Sequence, residues 1–420
     1  MGIALSLAHV LAGCGGGGKV GFIETDAGGD SDTDTDGDSD ADSDSDSDTD
    51  TDTGTGTGTD TDTDTETGTE PEACRFLVVS GDFVAGSYGL LDVQPDGNAS
   101  FDEIGASDSD PQARVEGDWV FVVGRAGSNL TVLDPDDLSL VRQFSVADAE
   151  GEYANPHDVC LVSDDEAYVP RYEQSTVAIV DPTAGTLDGT VDLGSFADAD
   201  GIGEAESCAV ATVKDAIYAY VALQRLDRDN FYSCAAGGSV LAVVDTATGA
   251  IVDRDLVEGG LQGIPLAACN PLGEARHDEA AGLLYLAEVG AFGVLDGGIE
   301  AIDLVAMGSR GFVVSEEALG DDVVGFALIA DDLGLAILST ETFQTVLAQF
   351  DPEAGTLGDA IYAPGGYVIS DVETCGDWAV VADRTLDAPG VVVIDARTGV
   401  PAFDSPLDTG LPPVDIARLP

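Results

Sequence analysis

Leu130-Thr-Val-Leu-Asp-Pro-Asp-Asp-Leu-Ser-Leu140 is a short apolar run, an Asp, a group of turn residues and a second apolar run. The unit recurs as LLDVQPDG, VLDPDDLS, IVDPTAGT, VVDTATGA, AIDLVAMG, QFDPEAGT and VIDARTGV. Its Asp residues are Asp92, Asp134, Asp181, Asp245, Asp303, Asp351 and Asp395, at intervals of 42, 47, 64, 58, 48 and 44 residues. A period of roughly 50 residues between β-type segments is that of a propeller, in which each blade is a four-stranded sheet. Seven copies predict seven blades.

Within a unit, Thr131-Val132-Leu133 is apolar and β-branched, which suits a strand buried on both faces between neighbouring blades. The Asp that follows is expected to accept a backbone N–H two residues on, with Pro or Gly completing the turn, so these Asp residues are read as turn formers. Upstream lie further apolar segments, such as Trp119–Val123, Ile217–Val221 and Trp378–Val381, read as second strands. Weaker strands precede them, such as Asp158-Val-Cys-Leu-Val162, and these are expected to line the central channel. The C-terminal Pro412-Pro-Val-Asp-Ile-Ala-Arg418 matches Pro156-His-Asp-Val-Cys160 at the start of another blade, whereas no first strand precedes Arg75-Phe-Leu-Val-Val79. The C-terminal segment is therefore expected to complete the first blade and remove an open sheet edge. An open β-solenoid would not need this match.

The pattern apolar-Tyr-Val…Val-x-Val-Val-Asp-x-x-Thr-Gly resembles the YVTN-type bacterial β-propeller repeat; Thr248-Gly249 and Thr398-Gly399 keep its Thr-Gly. The resemblance covers residues 74–420 and implies an all-β, seven-bladed propeller closed by pairing of the C-terminal strand with the N-terminal blade. It also implies that a ligand meets one face near the channel mouth, where loops lead into the inner strands. On activity it is nearly silent, because propellers host many functions.

The 420 residues include 80 acidic and 15 basic side chains, for a net charge of −65. That balance argues against nucleic acid and against anionic membrane surfaces as partners. Residues 24–72 hold 20 acids and no base, yet the remainder is acidic too, with Lys19 and Lys214 the only lysines, a composition like that of salt-adapted proteins.

The start, Met1-Gly-Ile-Ala-Leu-Ser-Leu-Ala-His-Val-Leu-Ala-Gly-Cys14, resembles a bacterial lipoprotein signal, although no Lys or Arg precedes the apolar run. Residues 1–13 are then a signal peptide and the Cys14 thiol carries the lipid. Residues 14–72 are Gly-rich and then alternate Asp with Ser or Thr. They hold too few apolar side chains to fold and are expected to be a disordered acidic tether to a propeller at 73–420. No other stretch is long and apolar enough to span a bilayer. These features place the chain in the bacterial cell envelope, at the outer membrane or cell surface. It is expected to be a monomer that touches the membrane only through its lipid, with a protein or glycan as partner.

Six cysteines remain, an even number in an exported chain, and disulfides are expected. Cys74 and Cys375 each sit just before a second strand, in the first and last blades, and are expected to pair across the closure seam. Cys234 lies in the long segment 224–239 and is expected to pair with Cys208 or Cys269; Cys160 belongs to the same group. A metal site is the competing reading, but there is no Cys-x-x-Cys.

The lead-in loops direct the search for chemistry. His157-Asp158 and His277-Asp278 are read as lying in such loops with Glu204, Glu206, Asp371 and Asp415, and a converging set could hold a divalent cation or serve acid–base work. Alternatively, the His-Asp pairs shape loop ends. Asp198-Ala-Asp-Gly-Ile-Gly-Glu-Ala-Glu206 places alternating carboxylates, including Asp198 and Asp200, on a Gly-rich loop suited to Ca2+, in a spacing that fits no standard calcium loop. Arg171, Arg225, Arg276 and Arg384 are candidates for anions or, more simply, for surface ion pairs. Gly-x-Ser-x-Gly, His-Glu-x-x-His, Gly-Lys-Ser/Thr and Cys-x-x-Cys-His are all absent. The expectation is a lipid-anchored binding or scaffolding module. The alternative is a metal-assisted, lactonase-like hydrolase at the channel mouth, and a third reading is an acidic surface protein for a saline habitat.

Overall fold

The computed structural model describes residues 73–420 apart from 149–152, 256 and 258. The expected signal peptide, Cys14 and tether lie outside the described residues.

Among the described residues, seven antiparallel blade sheets follow one another along the chain, with one further two-stranded hairpin of Leu226–Asp227 and Ser233–Cys234. Pro111–Glu116, Trp119–Gly124, Asn129–Leu133 and Leu140–Ser145 show the pattern, running from the channel outward as the second blade. The first strands of the third to seventh blades are Cys160–Ser163, Ala205–Val213, Pro271–Asp278, Asp322–Ala330 and Ile369–Cys375. Six of the repeated Asp residues end or follow a third strand; Asp92 instead lies inside Gly86–Val93, its carboxylate 3.8 Å from Arg75, and so does not form the turn expected of it. Asp134 and Asp395 accept N–H groups two residues on, from Asp136 and Arg397. Asp181, Asp303 and Asp351 instead accept from the third residue on, Ala184, Ala306 and Ala354. Asp395 also accepts from the third residue on, Thr398, so the role is the same.

Closure is as expected. Pro413–Arg418 pairs antiparallel with Cys74–Gly81, with Leu77 opposite Ala417 and Val78 opposite Ile416. Cys74–Cys375 bridges the same seam, with a Cα–Cα distance of 5.8 Å. Cys234 pairs with Cys269, and Cys160 with Cys208, which joins the first strands of the third and fourth blades. The seventh sheet has three strands, and isolated bridges from Val391 to Leu407 and from Ile394 to Pro401 replace its outer strand.

The core is a ring of blade-to-blade contacts, not one central mass. Phe121, Val123, Leu130 and Val132 of the second blade pack on Val159, Ala167, Val169 and Ala178 of the third. Phe76, Val78 and Ile416 of the first blade pack on Val380, Ala382 and Val393 of the seventh, so the seam buries apolar area like any other interface. Blades buried on both faces explain why middle strands such as Val240–Asp245 are continuous apolar runs.

Alternating strand directions sort the loops onto two ends. The turns after the third strands, with their repeated Asp residues, form the turn face. The connections between second and third strands, and those leading into each new blade, form the lead-in face.

Candidate functional site

The first strands surround a channel crowded with charge. Arg114 donates from Nε to Asp158 at 2.6 Å and from Nη1 to Asp415 at 2.7 Å, so one buried guanidinium links the first three blades. Arg276 bonds Glu274 at 3.1 Å and also Glu373 of the seventh blade. Carboxylates also reach the backbone of the next blade. Asp371 accepts from Ile416 N at 2.9 Å, Asp415 from Ala113 N at 3.1 Å, Asp158 from Cys208 N at 2.8 Å and Glu206 from Gly273 N at 3.1 Å. Neighbouring first strands do not share a ladder, and these bonds tie them together while satisfying carboxylates that burial would otherwise penalise.

Burial raises several of these acids. Asp158 is pushed up to about 6 against the opposing pull of Arg114, and Glu116 to about 8. Asp371 is raised well above its usual range by burial and by Asp415 beside it. The channel encloses a cavity of about 90 Å³ among Gln112, Arg114, Glu274 and Asp371, and one of about 210 Å³ opens beside Arg276, His277 and Tyr285.

The two His residues do not converge. His157 precedes the first strand of its blade, at the lead-in face, whereas His277 and Asp278 end the first strand Pro271–Asp278, at the turn face. The expectation that both occupy lead-in loops is corrected here: the fifth blade's first strand begins six residues before His277, so the same dipeptide falls at opposite ends of the two blades. Glu206, Asp371 and Asp415 likewise lie within first strands, not in loops.

His157 is buried, stacks on Tyr172 with ring centroids 4.3 Å apart, and lies 2.7 Å from Glu206 through Nδ1. Burial, then Arg125, lowers its pKa. A neutral ring donating from Nδ1 to Glu206 leaves Nε2 as the bare lone pair, and Nε2 has no protein hydrogen-bond partner.

The acidic loop holds a guanidinium where Ca2+ was expected. Arg228 Nε lies 2.6 Å from Glu204 and 3.4 Å from Asp200, and its Nη1 bonds Glu173 at 2.6 Å. Asp198 accepts the Asp200 N–H at 3.1 Å within its own turn. Asp158, Cys160 and Cys208 form the one trio of metal-type ligands found close together among the described residues, and its two thiols are joined in the disulfide. Arg171, Arg225 and Arg384 donate to backbone carbonyls, not to surface acids. Arg171 is buried and donates to Val146 O at 3.4 Å, Arg225 donates to Gly238 O at 2.7 Å, and Arg384 donates to Gly81 O at 3.2 Å.

Sequence reading missed the feature that sets the two faces apart. Among the described residues, ten of the nineteen exposed large apolar side chains project from lead-in-face loops. Three are phenylalanines at loop tips in the left-handed backbone region: Phe83 (φ 67°), Phe231 (φ 58°) and Phe343 (φ 54°), exposed by 50%, 80% and 46%. A bulky side chain there costs about 1–2 kcal/mol that Gly would avoid. Phe83 recovers part of it under the Arg384 guanidinium, 5.4 Å from its ring centroid. The signal available in the sequence was a Phe within two residues of an acid in each loop, as in Asp82-Phe83, Asp229-Asn-Phe231 and Glu341-Thr-Phe343.

No family model and no curated protein matches the sequence. Solved structures do match. The periplasmic gluconolactonase PpgL of Pseudomonas aeruginosa is 15% identical, with a TM-score of 0.57 over 83% of this chain and 99% of that one. Dihydro-heme d1 dehydrogenase NirN in complex with DHE is 15% identical, with a TM-score of 0.50 over 83% of this chain and 76% of that one. Citrobacter koseri AztD is 11% identical, with a TM-score of 0.49 over 82% of this chain and 97% of that one. At these identities the likeness is one of fold: this chain is a seven-bladed β-propeller.

Proposed function

We propose that the chain is an exported, lipid-anchored propeller of the YVTN-repeat type that binds a macromolecular partner through its lead-in face. The observation that carries this reading is the trio Phe83, Phe231 and Phe343. Exposed aromatics held in an unfavourable backbone region gain little from packing within the chain, and local strain of this kind concentrates at functional sites. Exposed apolar residues gathered on one face are what a docking surface needs. Lipidation at Cys14 and the acidic segment 14–72 would tether that face at the cell envelope.

The hydrolase reading has less support. It needs His157 and His277 to act together, and they stand at opposite ends of their first strands.

The test is site-specific photo-cross-linking of the full chain in its native host. A benzoyl-phenylalanine at position 231 should yield a discrete adduct, and one at Val400, exposed by 59% on the turn face, should not. Equal labelling from both positions, or from neither, would sink the proposal. Replacing Cys14 with Ser should release the protein from the membrane fraction if the anchor is real.

A further inference from the structure

We infer that the partner surface received by the lead-in face is a cationic, amphipathic protein segment: apolar side chains flanked by Lys or Arg. This rests on the reading of that face as the binding face and adds the chemistry of what binds.

The argument is one of charge beside apolar area. Asp82 precedes Phe83, and its Oδ1 accepts the Val84 and Ala85 N–H groups at 2.9 and 2.8 Å. The carboxylate thus builds the turn that holds Phe83 and Val84 outward, and those bonds keep it ionised. Asp229 stands two residues before Phe231, Glu341 two before Phe343, and Asp387 directly after Leu386, all of them exposed. Each of these apolar tips therefore carries a solvated carboxylate within two residues. Of the nearby guanidinium groups, Arg228 is met by three acids, whereas Arg384 and Arg225 donate to the carbonyls of Gly81 and Gly238 and keep their charge. Four solvated carboxylates against two guanidinium groups bonded only to carbonyls leave these apolar tips in a net negative setting.

Complementarity excludes the chain's own candidates. The segment 24–72 brings 20 acids and no base, and a second copy brings a net charge of −65, so like charges oppose both. An anionic membrane is opposed for the same reason. A segment with apolar residues and cations along one face satisfies both features at once.

The test uses the full-length protein and three defined probes: a short amphipathic Leu/Lys helical peptide, its Leu/Glu counterpart, and zwitterionic lipid vesicles. Fluorescence anisotropy should show the Leu/Lys peptide binding, with affinity falling as salt rises, and the Leu/Glu peptide not binding. The double variant Phe231→Gly, Phe343→Gly should weaken Leu/Lys binding by about tenfold or more. Equal binding of both peptides would overturn the cationic assignment and leave the face's role standing. Leu/Lys binding indifferent to the double variant would be capture by acidic surface elsewhere, and would overturn the inference. Vesicle binding lost in the double variant would assign the face to lipid, and would overturn it too.

Discussion

Arg114 Nε lies 2.6 Å from Asp158 Oδ1, and both side chains are buried. The pair joins the second blade to the third at the channel wall, and the same guanidinium reaches Asp415 of the first. Replacing Arg114 with Met leaves two carboxylates facing each other without a cation. The expected loss is about 3–5 kcal/mol, as for removal of one partner of a buried ion pair. Chemical denaturation checks it. A loss below about 1 kcal/mol would mean that water already screens the pair.

The closure seam has two fasteners, and they should fail differently. The double variant Cys74→Ser, Cys375→Ser keeps the Pro413–Arg418 ladder, so it should lose about 2–5 kcal/mol and stay monomeric. Deleting residues 412–420 strips that ladder from Cys74–Gly81 and exposes a sheet edge. That variant should aggregate, as size-exclusion chromatography would reveal. Monodisperse behaviour after the deletion would show the ring does not depend on the C-terminal strand.

Stability should fall as pH rises from about 5 to 8. Burial raises Asp158 to about 6, Glu204 and Glu316 to about 7, and Glu116 to about 8. Between the unfolded carboxyl values of about 4 and these folded ones, the native state holds more protons, so raising the pH favours unfolding. His157, lowered by burial, contributes the opposite slope as pH falls through 6.5 and below, but it is one group against four. A Tm series from pH 5 to 8 in constant salt checks the sign.

Glu288 offers a sharper version of the same test. It is fully buried and accepts from Ala268 N at 2.6 Å; burial, then its hydrogen bond and repulsion with Glu300, push it up to about 11. The folded state keeps this carboxyl protonated at neutral pH while the unfolded chain ionises it. Glu288→Gln should therefore raise the Tm by a few degrees at pH 8 and less at pH 5. An unchanged pH slope would show that Glu288 is ionised in the fold.

Phe231→Gly and Phe343→Gly should separate stability from binding. Each relieves a left-handed conformation worth about 1–2 kcal/mol and gives back about 0.5–1 kcal/mol in chain entropy, so each should be neutral or slightly stabilising. Both should diminish partner capture. A marked drop in Tm would mean that these rings pack for the fold's sake.

Much of the architecture was legible because its signals are local. Asp134 followed by turn residues, and Thr131-Val132-Leu133 before it, depend only on neighbours in sequence. The pairing of Cys74 with Cys375 followed from counting positions within the repeat, since equivalent positions in adjacent blades meet. The site was less legible. Glu204 and Asp200 read as a calcium loop because Arg228, 24 residues beyond Glu204, was not visible as their counter-charge. Phe231 and Phe343 were passed over because an isolated apolar residue in a polar loop has no period to reveal it.

The sequence by itself determined the repeat, the blade number, the closing strand and the acidity of the chain. These follow from residue spacing and composition, which need no third dimension. Only the tertiary structure decided which charges meet across the channel, that His157 and His277 stand at opposite ends, and that the left-handed phenylalanines Phe83, Phe231 and Phe343 share one face. Those relations depend on where each strand starts relative to the ring axis and on which way its loops turn, and side chains hundreds of residues apart, such as Arg114 and Asp415, meet only once the ring has closed.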